Sequence, residues 1–262
     1  MTDATDLTVD LAYDSTGDGF PLVLVHGFTG SSLDWSGVVE ALATERQVVT
    51  FDHRGHGESP NTGDAATYTF DQLVADMTVL LDDLELERFD LLGHSMGGIV
   101  SMRYALAHPE RVRSLVLMDT AAGSAVDNAE MMRAGIEMVR TQGTSALYEL
   151  LQGFLGEGDA AEAQRVAMKT KLSQMDPVAF TELGDELITY PSILDRLAGL
   201  GIPTTVIVGV NDHGLRGAAD DLAATIPGAE LVVIPDAAHS PQEENRDAWL
   251  VAVEGHLARV DA

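Results

Sequence analysis

Cysteine is absent from the 262 residues. That removes disulfides, thiolate metal sites and a cysteine nucleophile, and it suits a reducing compartment. Positive charge is scarce: 15 Lys and Arg stand against 42 Asp and Glu, a formal net charge of −27, and lysine occurs only at Lys169 and Lys171. Such a field repels nucleic acid and anionic membranes, so neither is expected as a partner. Two origins of the acidic surface stay open: adaptation to a salt-rich environment, where screening weakens self-repulsion, and a high-GC genome that favours Arg and Asp. No apolar run reaches the roughly 18 residues of a membrane span, and the opening MTDATDLTVD is acidic and polar. A soluble, cytoplasmic protein is expected, with monomer or homo-oligomer undecided. Repeats, low-complexity linkers and charge tails are lacking too.

What is present is an alternation. Short β-rich runs such as LTVDLAYD, PLVLVHG, QVVTFD and FDLLG are separated by helical patterns such as SLDWSGVVEALATE, TFDQLVADMTVLLDDL and SMGGIVSMRYALAHP. This rhythm points to an α/β fold with a parallel sheet covered by helices. After RSLVLMD the strands stop, and from about Ala121 to Leu197 every segment reads as helix. Strands resume in IPTTVIVGV and AELVVIPD. A helical block inserted late in a βα series is most simply a lid over the carboxyl edge of the sheet, where ligands bind in open α/β folds. A chain of this length accommodates one large domain carrying such an insertion.

The motif with the clearest chemistry is Gly93-His94-Ser95-Met96-Gly97, which matches G-x-S-x-G between an apolar strand and a helix. A strand that turns sharply into a helix strains the residue between them, so flanking glycines remove the Cβ atoms that would collide there. Ser95 is then held above the sheet at the positive end of a helix. A serine hydroxyl is a weak nucleophile until a base removes its proton, and that base needs a carboxylate to orient it.

From HGFTG (26–30) through GHSMGG (93–98) to AAHSP (237–241), nearly the whole chain resembles the α/β-hydrolase family. The resemblance implies a mostly parallel sheet with helices on both faces and a helical cap inserted after the sixth strand. The core is then residues 1–120 and 198–262, and the cap 121–197. By the family's order of Ser, Asp, His, it also implies Ser95 as nucleophile, Asp212 as acid and His239 as base, with Asp119 the runner-up acid. The oxyanion would be held by the backbone N–H groups of Met96, after the nucleophile, and Phe28, after the early His-Gly pair. His26 and His94 are expected to be structural, His53 and His56 to pack a turn in DHRGHGES, and His108 and His256, late in helix patterns, to lie at the surface or supply C-terminal helix charge. No cofactor and no metal is expected.

The substrate is less legible. Met131, Met132, Met138, Met168 and Met175 of the expected cap suit an adaptable apolar acyl pocket, although helix-core packing is the plainer reading. An apolar pocket favours uncharged esters, so the expectation is a carboxylesterase acting on small to medium acyl chains. Lactone or carbon–carbon bond hydrolysis is the alternative. HGFTGS looks like the menaquinone-pathway synthase branch, but Ile99 stands where that branch carries a carboxylate-holding arginine, and DHRGHGES-like loops also occur in enol-lactone hydrolases.

Overall fold

The computed structural model describes residues 7–125 and 129–262; the first six residues and residues 126–128 of the expected cap lie outside them. Seven strands form one sheet: β1 (Tyr13–Thr16), β2 (Phe20–Val25), β3 (Arg46–Phe51), β4 (Phe89–His94), β5 (Val112–Met118), β6 (Thr204–Gly209) and β7 (Glu230–Ile234). Their spatial order is β1-β3-β2-β4-β5-β6-β7, and β1 alone runs antiparallel to its neighbour. The central strands are continuous apolar runs because both faces of a helix-covered parallel sheet are dry; Leu22 to Val25 and all of β4 are buried. LTVDLAYD yields only the short, exposed edge strand β1, with its first residues outside any strand.

The helices are α1 (Val39–Leu42), α2 (Phe70–Asp83), α3 (Met96–Ala107), α4 (Ala129–Gln142), α5 (Thr144–Leu151), α6 (Asp159–Gln174), α7 (Pro177–Thr189), α8 (Leu194–Leu197), α9 (His213–Thr225), α10 (Pro241–Glu244) and α11 (Arg246–Asp261). They divide the core in two. On one face Leu22, Leu24 and Val116 pack against Trp35, Trp249 and Val253 from the α1 and α11 side. On the other, Val23, Leu91 and Leu117 meet α2, α3 and α9, and this cluster continues into the helical block through Ile136, Phe180 and Leu183. Among the described residues no helix is long and apolar enough to cross a membrane.

The helical block, α4 to α8, lies between β5 and β6. Five described strands precede it rather than six, because the described chain begins its sheet at the antiparallel strand β1. Its seam with the sheet domain runs along loops near the carboxyl ends of β2 and β3. Phe180 of α7 stacks on Phe28 with ring centroids 4.9 Å apart. Asp176 donates its N–H to the Gly55 carbonyl, and Lys171 of α6 pairs with the buried carboxylate of Asp34.

The turn carrying Ser95 sits where β4 enters α3. A Cβ added at Gly97 would lie 2.2 Å from the Val25 carbonyl oxygen and 2.5 Å from that of His26; one at Gly93 would lie 2.4 Å from the Gly97 carbonyl. Helix α3 can therefore approach the carboxyl end of β2 only with a glycine at 97. Gly97→Ala is expected to cost about 3 kcal/mol or more, since the obstructing atoms are backbone. Thermal melting should then fall by roughly 6–12 °C for a chain of this size; a melting temperature equal to wild type would contradict so tight an approach.

Candidate active site

Ser95 occupies a left-handed conformation, φ 53° and ψ −119°, which a non-glycine residue keeps only when its surroundings impose it. Its N–H donates to the Met118 carbonyl at 2.9 Å, and its carbonyl accepts from the Thr120 hydroxyl at 2.7 Å. Gly98 leaves the space that Thr120 fills, since a Cβ there would meet the Thr120 side chain at 2.5 Å. The turn is thus pinned from β5, and the Ser95 hydroxyl is left out of helix capping.

Asp212 ends the turn after β6 and caps α9. Its Oδ1 accepts the Leu215 N–H at 3.3 Å and its Oδ2 faces His239 Nδ1 at 2.7 Å. His239 Nε2 lies 3.1 Å from Ser95 Oγ. Gly209 makes this meeting possible: a Cβ on it would lie 2.0 Å from the Ala238 carbonyl, so the two loops pass in contact. The three side chains that sequence reasoning assigned to nucleophile, acid and base therefore form a continuous hydrogen-bonded row. With Asp212 accepting at Nδ1, the neutral imidazole carries its proton there and presents a bare Nε2 to the serine.

Two carboxyls meet at this row, with opposite electrostatics. Burial pushes Asp212 up, but the hydrogen bond and charge of His239, with contacts to Asp119 and the Leu215 N–H, outweigh it and hold the carboxyl below its usual value. Asp119 is fully buried at a φ of 42°. Burial drives its carboxyl up to about 9 against the opposing hydrogen bond from the Gly209 N–H. Asp119 is accordingly a neutral acid at pH 7, while Asp212 is the ionised partner of the histidine. Among the described residues Asp119, Asp212 and His239 are also the one set of three whose ligand atoms lie within 4.8 Å of one another, near enough to share a cation.

These residues open onto a cavity of about 330 Å³. Phe28, Met96, Ile99, Leu187, Tyr190 and Leu215 give it a mainly apolar wall, and none of its described lining residues is Lys or Arg. Met96 is the first residue of α3, so its N–H has no intrahelical acceptor. Phe28 and Met96 both border the same space as Ser95. The cap methionines do not line it: Met175 is buried in the core, Met132 and Met168 pack against that core, and Met131 is largely exposed. The helical block contributes Leu187 and Tyr190 instead, and Tyr190 is fixed by donating its hydroxyl to the Ala121 carbonyl at 2.6 Å. Sequence reasoning missed Thr120, Leu187 and Tyr190; only the position of Thr120, two residues past the end of β5, offered a signal.

The remaining histidines separate by burial. His26, His53 and His56 stack beneath the HGFTG turn, ring centroids 4.5 to 6.1 Å apart. His256, expected at the surface, is instead fully buried, its Nδ1 2.8 Å from the Thr205 hydroxyl. The terminal helix packs flat on β5 and β7, so its late residues turn inward.

Residues 21–246 match the family described as alpha/beta hydrolase fold. A putative carbamate hydrolase of Azorhizobium caulinodans is 39% identical over 271 residues, covering 96% of each chain. Among solved structures, the enol-lactonase of Burkholderia xenovorans LB400 superposes with a TM-score of 0.82 at 27% identity, covering 95% of this chain and 96% of that one. A structure from a study of carboxylesterases of the thaumarchaeon Nitrososphaera gargenis gives 0.84 at 26% identity, covering 96% and 95%. Two other curated relatives are longer proteins, of which the chain spans 35% and 60%.

Burial, reinforced for His56 by neighbouring His26, lowers the affinity of these imidazoles for protons: His26 and His53 fall below 6.5, His56 and His94 to about 3, and His256 to about 4. The unfolded chain takes up those protons near pH 6.5, so stability is complete above that value and drains away as pH falls below it. At pH 5 His56 and His94, held at about 3, each forfeit about 2 kcal/mol. The urea midpoint should therefore drop steeply between pH 7 and 5, and less steeply in His56→Gln; a midpoint independent of pH over that range would contradict the neutral histidine cluster.

Proposed function

Because the chain belongs to the α/β-hydrolase family and is a hydrolase, we propose that it cleaves uncharged carboxylic esters of small to medium acyl chains through Ser95, His239 and Asp212. The observation that carries this reading is the hydrogen-bonded row from Asp212 through His239 to Ser95 Oγ, ending in a cavity with no Lys or Arg among its described lining residues. His239 Nε2 takes the Ser95 proton as Oγ adds to the ester carbonyl. The Phe28 and Met96 N–H groups hold the developing oxyanion, a contribution of about 10²–10³ in rate for a single donor. His239 then passes its proton to the departing alcohol, leaving an acyl-serine. Water, deprotonated by His239, repeats the addition and releases the acid. Asp212 stays ionised and stabilises the imidazolium.

The lining argues against anionic substrates. An acyl group bearing a second carboxylate would enter a cavity whose described lining has no Lys or Arg, in a chain of net charge −27. Ile99, on that wall, stands where an arginine would be needed to hold such a group. The helical block, α4 to α8, serves as the lid that sizes the acyl pocket through Leu187 and Tyr190. Lactones are the second reading, favoured by the likeness to the enol-lactonase. Carbamates share the same carbonyl chemistry.

Hydrolysis of p-nitrophenyl esters from acetate to dodecanoate, beside lactones and a phenyl carbamate, tests the proposal. Esters up to medium length should be turned over, monosuccinyl esters at least tenfold more slowly than butyryl, and Ser95→Ala should remove all of it. Asp212→Asn should cost roughly 10⁴ in kcat, as loss of the orienting acid does elsewhere. Asp119→Asn, which keeps a neutral hydrogen-bonding group, should stay within about tenfold of wild type, on the same comparison of an ionised with a neutral partner. A larger loss at Asp119 than at Asp212 would reverse the assignment of the acid.

A further inference from the structure

His94 precedes the serine and was expected to be structural, yet its ring does something specific. It is 5% exposed and its Nε2 lies 2.6 Å from the backbone carbonyl oxygen of His239, 145 residues away in sequence. A carbonyl only accepts, so the proton of the neutral ring sits on Nε2 and Nδ1 is bare. Among the described residues no hydrogen-bond partner faces that bare nitrogen, which packs against Gly27. The ring is clamped between Trp35 and the His239 imidazole, centroids 6.4 and 4.9 Å away.

The His239 loop has few other ties to the turn of Ser95. Its neighbour Ala238 donates to Glu244, and Asn211 donates to the Ala237 carbonyl, both within the loops around Asp212 and the terminal helices. The His94 bond is the backbone tether that runs directly between the serine's own turn and the residue whose side chain must meet that serine. His239 is about half exposed, so burial alone does not fix its ring. A 1 Å displacement of a reacting group can cost on the order of 10²-fold in rate.

We propose that His94 is a positioning residue: its Nε2–H, bonded to the His239 carbonyl, sets the spacing between the His239 ring and Ser95 Oγ. This rests on the serine-hydrolase reading above. The charged or titratable groups around it are His239, Asp34 and Lys171. Burial keeps His94 neutral, so it remains a donor while His239 acquires and loses its proton during turnover.

Glutamine and asparagine separate this role from packing, because the amide nitrogen of Gln reaches the place of Nε2 whereas that of Asn reaches only the place of Nδ1. On a p-nitrophenyl butyrate assay, His94→Asn and His94→Leu should lower kcat 10- to 100-fold with KM within about twofold. His94→Gln should recover most of that loss. Imidazole nitrogen NMR on the wild type should show His94 as the neutral Nε2–H tautomer from pH 5 to 8. Wild-type kcat in a folded Asn variant, a Gln variant as impaired as Leu, or an Nδ1–H tautomer would each overturn the proposal. The tautomer is read without activity, so a failure of the serine-hydrolase reading, seen as turnover that survives Ser95→Ala, is distinguishable from a failure of this one.

Discussion

The close approach of helix α3 to the end of β2 governs everything built above it. With only hydrogen at Gly97, the helix N-terminus comes within contact of the Val25 and His26 carbonyls. That approach forces Ser95 into its left-handed conformation and lifts the hydroxyl off the helix it would otherwise cap. The same approach brings the α3 N-terminus beside the HGFTG turn, so an orphan N–H of the helix and the turn after His26 border one cavity. Backbone strain at one residue is held in place by β5, through Met118 and Thr120, and by the sheet on either side.

A second constraint is electrostatic. A protein this acidic buries a group of ionisable side chains near its site and keeps most of them uncharged. Asp119 is neutral because it is buried, and His26, His53, His56 and His94 are neutral for the same reason. The buried pair Arg54 and Asp76 is matched by a two-pronged contact with both carboxylate oxygens. Of the two carboxyls at the hydrogen-bonded row, the charge falls on Asp212, whose carboxylate is held ionised chiefly by His239 against its burial. Placing a single ionised acid next to the histidine, with its neighbour protonated, gives a protonated His239 one counter-charge instead of two, and the described lining of the cavity holds no Lys or Arg to attract anions.

Much of this was legible in the chain itself. The alternation of runs and helix patterns gave the parallel sheet, because strands buried on both faces must be apolar throughout. The glycines around Ser95 marked the turn, since each stands where a Cβ would strike backbone or a fixed side chain. Asp212 and His239 were implied by the resemblance to the family, and their spacing of 27 residues conceals a 2.7 Å contact. What escaped the sequence depends on three-dimensional neighbours that no local pattern carries. The cavity wall takes Leu187 and Tyr190 from the inserted block rather than its methionines, because helix rotation, not composition, decides which face looks inward. His256 was misjudged for the same reason: its helix lies flat on the sheet to its last turns. The first expected strand shrank to an exposed edge, where propensity alone does not impose pairing.

The central claim is that His239 activates Ser95 for attack. The most direct measurement is exposure of the protein to a small fluorophosphonate, followed by peptide mapping of the adduct by mass spectrometry, in wild type and His239→Ala. The account predicts one phosphonyl adduct, on Ser95, formed at least 10³-fold more slowly when the imidazole is removed. An adduct on another residue, or labelling of Ser95 at the same rate without His239, would contradict it.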